Sequence, residues 1–147
     1  MARQEQPRNR PSGSPKASPS AKDWLHFVQL DPFAGAWKRL GLGDDDLRLL
    51  ELAIMAYPEA APVVAGTGGV RKMRFAPARW ATGKRGACRV YYAYFPEHGI
   101  VTLVYAHSKS ESETITAEQA HALKTLIDDI GRALDKRRRT RNRKDGT

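Results

Sequence analysis

Between residues 24 and 134 the apolar positions alternate between a period of two and a period near 3.6, and each switch marks an element. The run Trp24-Leu25-His26-Phe27-Val28-Gln29-Leu30 reads as a strand. Asp31-Pro32 then supplies an N-cap with proline at the first helical position, and Phe33, Ala36, Trp37 and Leu40 form the inner face of a short helix. Gly41-Leu42-Gly43 breaks that helix. Asp44 to Asp46 place carboxylates at the positive end of a second one, whose Leu47, Leu50, Ile54 and Tyr57 recur at helical spacing until Pro58. The two helices predict a hairpin.

The glycines of Gly66-Thr67-Gly68-Gly69 break the chain before a strand from Val70 to Phe75, in which Lys72 and Arg74 point one way and Met73 and Phe75 point inward. A loop from Pro77 to Gly86 leads to an aromatic strand, Ala87 to Phe95. The turn Pro96-Glu97-His98-Gly99 precedes a last strand, Ile100 to Ala106. Thr116 with Gln119 three residues on is a capping box, opening a helix that carries Ala120, Leu123, Ile127, Ile130 and Leu134. The order β-α-α-β-β-β-α predicts an α+β domain: a meander of three antiparallel strands with helices packed on it and basic side chains on one face.

Composition sets the boundaries. Residues 1–22 carry prolines at 7, 11, 15 and 19 among polar residues and predict a disordered arm; 23–134 predict the folded domain; 135–147 predict a disordered basic tail. The formal charge of +9 over 147 residues divides unevenly, +4 on the arm and +5 on the tail, while the middle balances at 13 charges of each sign. Yet the window from Arg71 to Arg89 holds Arg71, Lys72, Arg74, Arg79, Lys84, Arg85 and Arg89 with no acid among them. Such segregation creates a local positive field and points to a polyanion, most commonly nucleic acid. No apolar run is long enough for a membrane helix or a signal peptide, so the expectation is a soluble cytoplasmic protein with no membrane partner. Cys88 is the one cysteine, and His26, His98, His107 and His121 have no spacing that would assemble a zinc site with it, so neither disulfide nor metal is expected.

Some signals have plain alternatives. Gly66 to Gly69 lack the spacing of a dinucleotide or Walker loop and read as the turn leading into the strand. Arg89 interrupts an apolar strand, where a charge costs desolvation unless it is ion-paired or faces a solvated groove. If Lys72, Arg74 and Arg89 converge from adjacent strands, they can clasp a phosphate, arginine offering a planar fork of donors. Tyr91, Tyr92, Tyr94 and Tyr105 lie in the same strands as either core packing or platforms for unpaired bases. His107, just past the last strand and followed by Ser108 and Lys109, is of the side-chain type that changes charge near neutral pH. His26, His98 and His121 read as bystanders. Lys136 to Lys144 is either a solubilising tail or an arm that strengthens RNA attachment through counterion release.

The stretch Gly66-Thr67-Gly68-Gly69-Val70-Arg71-Lys72-Met73-Arg74-Phe75, with Gly83-Lys84-Arg85-Gly86, Cys88-Arg89-Val90-Tyr91-Tyr92 and Leu103-Val104-Tyr105-Ala106, resembles the RelE/HigB toxins of bacterial type II toxin–antitoxin systems over residues 24–134. The resemblance implies a small RNase-like α+β fold, a cytoplasmic endoribonuclease that cleaves mRNA in the ribosomal A site, and neutralisation by a cognate antitoxin of helix-turn-helix type. It implies attack by the 2′-OH without metal or other cofactor. Lys72 and Arg74 match the family's basic pair, Arg89 its next strand's arginine, and Lys84 and Arg85 its basic loop. His107 stands where the family carries a basic residue, with Lys109 a displaced substitute.

On that resemblance Arg74 and Arg89 would stabilise the pentacoordinate phosphate, Lys72 would assist removal of the 2′ proton, and His107 would protonate the leaving 5′ oxygen. Arg71, Lys84, Arg85, Tyr91 and Lys109 would bind RNA. The competing expectations are a ParE-like, gyrase-directed module of the same fold and a non-catalytic RNA-binding regulator.

Overall fold

The computed structural model describes residues 24–80, 86–108 and 115–146. Its elements are β1 (His26–Gln29), α1 (Asp31–Arg39), α2 (Asp44–Ala56), β2 (Val70–Phe75), β3 (Cys88–Phe95), β4 (Ile100–Ser108) and α3 (Ala117–Gly146), with a short 3₁₀ turn at Ala78–Trp80. The four strands form one mixed sheet in the order β1-β4-β3-β2. The meander β2-β3-β4 is antiparallel as expected, and β1 joins β4 in parallel at the far edge, His26 opposite Ile100.

Both faces of the sheet are covered. On one, α1 and α2 build the larger core from Phe33, Trp37, Leu50 and Ile54 against Val90, Tyr92, Val101 and Leu103. Phe33 stacks on Trp37 with ring centroids 5.2 Å apart. On the other, α3 lays Ile127 over Val70, Tyr91, Ala93 and Val104. A residue pointing away from α1 and α2 therefore has two fates: under α3, or at the open end of the strands.

Local signals account for the boundaries. In α2, Gly43 N–H donates to Asp46 Oδ2 at 2.9 Å, so the acidic first turn caps its own backbone. Arg79 reaches Asp46 through both terminal nitrogens, at 2.8 and 2.9 Å, fastening the 3₁₀ turn to the helix and holding the carboxyl below its ordinary range. The buried Thr67 hydroxyl donates to Val64 O at 2.7 Å and accepts from Val70 N at 3.0 Å; Gly66 and Gly68 flank it with φ of 79° and 75°. That glycine run is the turn leading into β2. The Thr116–Gln119 capping box forms reciprocally, at 3.0 and 3.1 Å.

Three expectations need correction. The first helix begins one residue earlier than expected, with Leu30 at the N-cap and Asp31 already helical. The last strand runs on to Ser108, which brings His107 inside the sheet. Residues 135–146, expected to be disordered, continue α3, a 30-residue helix about 45 Å long. Arginine and lysine are good helix formers, so a basic run appended to an anchored helix extends it. The arm at 1–22 lies outside the described residues.

Candidate functional site

Strand register aligns the candidate chemistry in two rows. Arg74 lies directly opposite Arg89, and Arg89 directly opposite His107, so three basic side-chain types span three strands in one line. One step along, Lys72 faces Tyr91, and Tyr91 faces Tyr105. Because alternate residues share a face, both rows lie on the face away from α1 and α2, where Tyr91 and His107 are buried beside α3 while Arg74 stays exposed. The register shifts between Tyr91 and Tyr92, where Tyr105 and Leu103 are the successive partners and Val104 of β4 is the extra residue.

Like charges directly across an antiparallel pair are unfavourable, so the Arg74–Arg89 juxtaposition is a local cost within the sheet. Arg74 is exposed, whereas Arg89 is only 8% exposed and its guanidinium donates to Ala87 O at 3.4 Å. Lys72, Arg74 and Arg89 also border a cleft of about 610 Å³ whose other walls, Ala53, Ile54, Tyr57, Met73 and Tyr92 among them, belong to the α2 side of the sheet, while register gives the three cations the opposite face in common. A dianionic phosphate there would screen the mutual repulsion of the arginines and accept their fork of donors.

His107 is 5% exposed and both its ring nitrogens are engaged. Nδ1 sits 2.8 Å from the Ser108 carbonyl oxygen and Nε2 2.8 Å from the Tyr91 hydroxyl. A carbonyl only accepts, so Nδ1 carries a proton, and in the neutral ring Nε2 accepts from the Tyr91 O–H. A proton leaving His107 through Nε2 therefore passes to the Tyr91 oxygen. Tyr91, Tyr105 and His107 also line a second cleft, of about 630 Å³, against Gln119 and Leu123 of α3.

Of the residues expected to act, Lys72, Arg74, Arg89, Tyr91 and His107 are brought together. Arg71 is not. It projects to the opposite face beside Tyr92, where Nη1 donates to Glu59 O at 2.9 Å and Ala61 O at 2.7 Å and ties down the chain between α2 and β2. Lys84, Arg85 and Lys109 lie outside the described residues. Tyr105, which the sequence grouped with the other strand tyrosines but did not assign to the RNA-binding set, completes the second row through its register with Tyr91. Cys88 is buried between the cationic face and the larger core, and desolvation pushes its thiol up to about 11.

Among the described residues, Glu97, His98 and Asp135 offer three ligand atoms within 4.8 Å of one another. Glu97 and His98 belong to the β3–β4 turn, at the other end of β3 from Arg89, and Asp135 reaches them from α3. His98 Nε2 is 2.9 Å from Asp135 Oδ1, and the Arg138 guanidinium stands 3.9 Å from Glu97, competing for the same carboxylate. No helix among the described residues is long and apolar enough to cross a membrane.

Fold and site together define a small α+β protein with a mixed four-stranded sheet and a cross-strand row of cations at one end. No protein-family model matches the chain. Among solved structures it is similar to an arginine-to-alanine double mutant of the E. coli toxin RelE in the free state, at 15% sequence identity and a TM-score of 0.44, the match covering 71% of this chain and 97% of that one. A likeness of that degree assigns neither family nor activity.

Proposed function

We propose that this chain is a toxin of RelE/HigB type, an endoribonuclease that cuts mRNA at the ribosomal A site by 2′-OH attack and is held in check by an antitoxin. The observation that carries the reading is the Arg74–Arg89–His107 row, beside Lys72 and Tyr91. Setting two arginines opposite each other is unfavourable for the sheet, and a phosphate bound between them would offset that cost. The motif resemblance over residues 66–106 points to the same chemistry.

The 2′ oxygen attacks phosphorus while the P–O5′ bond breaks, leaving a 2′,3′-cyclic phosphate and a 5′-hydroxyl. Arg74 and Arg89 stabilise the charge that builds on the non-bridging oxygens. Lys72 lies one step away on β2 and assists loss of the 2′ proton. With the His107 ring doubly protonated, Nε2–H donates to the Tyr91 oxygen; Tyr91 passes its hydroxyl proton to the leaving 5′ oxygen as the Nε2 proton moves onto Tyr91, which leaves a neutral ring with Nδ1–H on the Ser108 carbonyl. This revises the direct role of His107 into a relay. An acidic or amphipathic antitoxin segment covering the 71–89 surface would neutralise it by occupying the phosphate site.

The test is to incubate the purified protein with translating ribosomes and map mRNA ends. Discrete cuts within the A-site codon, lost in Arg89→Ala but present in Arg71→Lys, are expected. Intact mRNA accompanied by inhibited gyrase would instead establish the ParE-like alternative.

A further inference from the structure

The inner stripe of α3 changes character along its length. Ile127, Ile130 and Leu134 face the sheet; at 100° per residue, Arg137, Arg138 and Arg141 continue the same stripe within an arc about 100° wide. Lys136, Arg139 and Arg143 fall on the opposite side of the helix. Thus three arginines turn toward the body of the protein where an amphipathic helix ordinarily presents apolar residues. They line a cleft of about 480 Å³ with His26 and Val28 of edge strand β1 and with His98.

Among the described residues, Arg138 has one weak ion pair, with Glu97 at 3.9 Å, and neither Arg137 nor Arg141 has a carboxylate partner. The cleft therefore holds excess positive charge beside an unpaired sheet edge. Arg137 and Arg141 are four residues apart, about 6 Å along the helix, a spacing that can meet successive phosphates of one strand. Val28, Leu30, Ile100, Ile130 and Leu134 give the cleft apolar walls beside its arginines, so binding to an anionic lipid surface is tested alongside binding to RNA.

We infer that the Arg137–Arg138–Arg141 cleft is a second RNA-binding site, which seats the sugar–phosphate backbone of the RNA away from the cleavage point. The choice of RNA as the polyanion rests on the function proposed above. Phe95 at the turn is six residue steps along β3 from Arg89, so the two sites lie roughly 20 Å apart, and an RNA touching both must span several nucleotides. The cleft adds affinity and leaves the chemical step alone.

The experiment uses full-length Arg89→Ala protein, which holds the RNA intact, and a fluorescent 20-nucleotide single-stranded RNA read by anisotropy across a salt series. Two further variants in that background remove equal charge: Arg137→Gln/Arg138→Gln/Arg141→Gln on the cleft, and Lys136→Gln/Arg139→Gln/Arg143→Gln on the outer face. Circular dichroism checks that α3 is retained in both. The cleft variant should lose roughly tenfold or more in affinity at low salt and about two units of salt slope, with the outer variant within about threefold of its parent. Equal losses would reduce the effect to net charge and overturn the inference, as would no loss in the cleft variant. Loss of binding to vesicles of anionic phospholipid with RNA affinity unchanged would also overturn it, assigning the cleft to a membrane surface. If the cleft binds RNA as described but protein with Arg89 intact never cuts RNA, the cleft stands and the nuclease reading falls.

Discussion

Arg71 separates a folding cation from a functional one within a single strand. Its Nη1 donates to two backbone carbonyls, Glu59 O at 2.9 Å and Ala61 O at 2.7 Å, the second partly buried. Nearby, Lys72 N–H donates to Pro62 O at 3.0 Å and the Tyr92 hydroxyl to Pro58 O at 2.8 Å. Arg71→Ala leaves both carbonyls to water or to nothing. A hydrogen bond to a charged group is worth about 1.5–3 kcal/mol, and discounting the exposed one gives a loss of roughly 2–3 kcal/mol in total. For a domain of this size that lowers Tm by roughly 10 °C. Arg71→Lys keeps the charge but not the paired donors, and should recover less than half of the loss. Thermal unfolding followed by circular dichroism gives the stability, and RNA anisotropy at a temperature where each variant is folded gives the affinity. RNA affinity should stay within about twofold of wild type, whereas Arg74→Ala should lose affinity with little change in Tm. An Arg71→Ala protein with unchanged Tm, or with an RNA defect matching that of Arg74→Ala, would refute the division.

Three further outcomes follow from the same geometry. Asp46, its carboxyl lowered first by the Arg79 hydrogen bonds and next by the Gly43 N–H, stabilises the fold above the unfolded carboxylate pKa of about 4 and ceases to do so as pH falls through its own lower value; Asp46→Asn should therefore reduce stability at pH 7 and flatten the acid limb of a stability-versus-pH series. Cys88, buried and with its thiol raised to about 11, should resist a thiol-specific alkylating reagent at pH 8 in the native protein and react fully in denaturant, so rapid native labelling would contradict its burial. Gly68→Ala should cost about 1–2 kcal/mol in a urea titration, because φ there is 75° and a Cβ would stand 3.2 Å from Lys124 Cγ, whereas Gly43→Ala meets no neighbouring atom within 4 Å.

Much of the fold is legible because its signals are local. Asp-Pro at the start of α1, three aspartates in the first turn of α2, the Thr116–Gln119 box and the period-two strands each act through neighbours in sequence. What is not legible depends on partners far along the chain. The parallel pairing of β1 with β4 leaves no mark in either strand, and the register shift at Tyr91/Tyr92, where β4 carries the extra residue Val104, has no local signal either. The fate of the basic C-terminal residues is of this second kind, since α3 reaches the β3–β4 turn and is held there by His98–Asp135. Arg71 was readable. Strand alternation that turns Lys72 and Arg74 one way must turn Arg71 the other, and charge alone grouped the three together.

The claim at the centre of this account is that the cationic row at Arg74, Arg89 and His107 serves attack by a ribose 2′-hydroxyl on the adjacent phosphate. The most direct measurement uses programmed ribosomes carrying an mRNA with a single 2′-deoxynucleotide immediately 5′ of the mapped cut, alongside the all-ribose mRNA, with product ends resolved by mass spectrometry. The account predicts a 2′,3′-cyclic or 3′-phosphate end with a 5′-hydroxyl from the ribose mRNA, and no cut at the deoxy position. Cleavage at the deoxy position, or fragments ending in 3′-hydroxyl and 5′-phosphate, would contradict it.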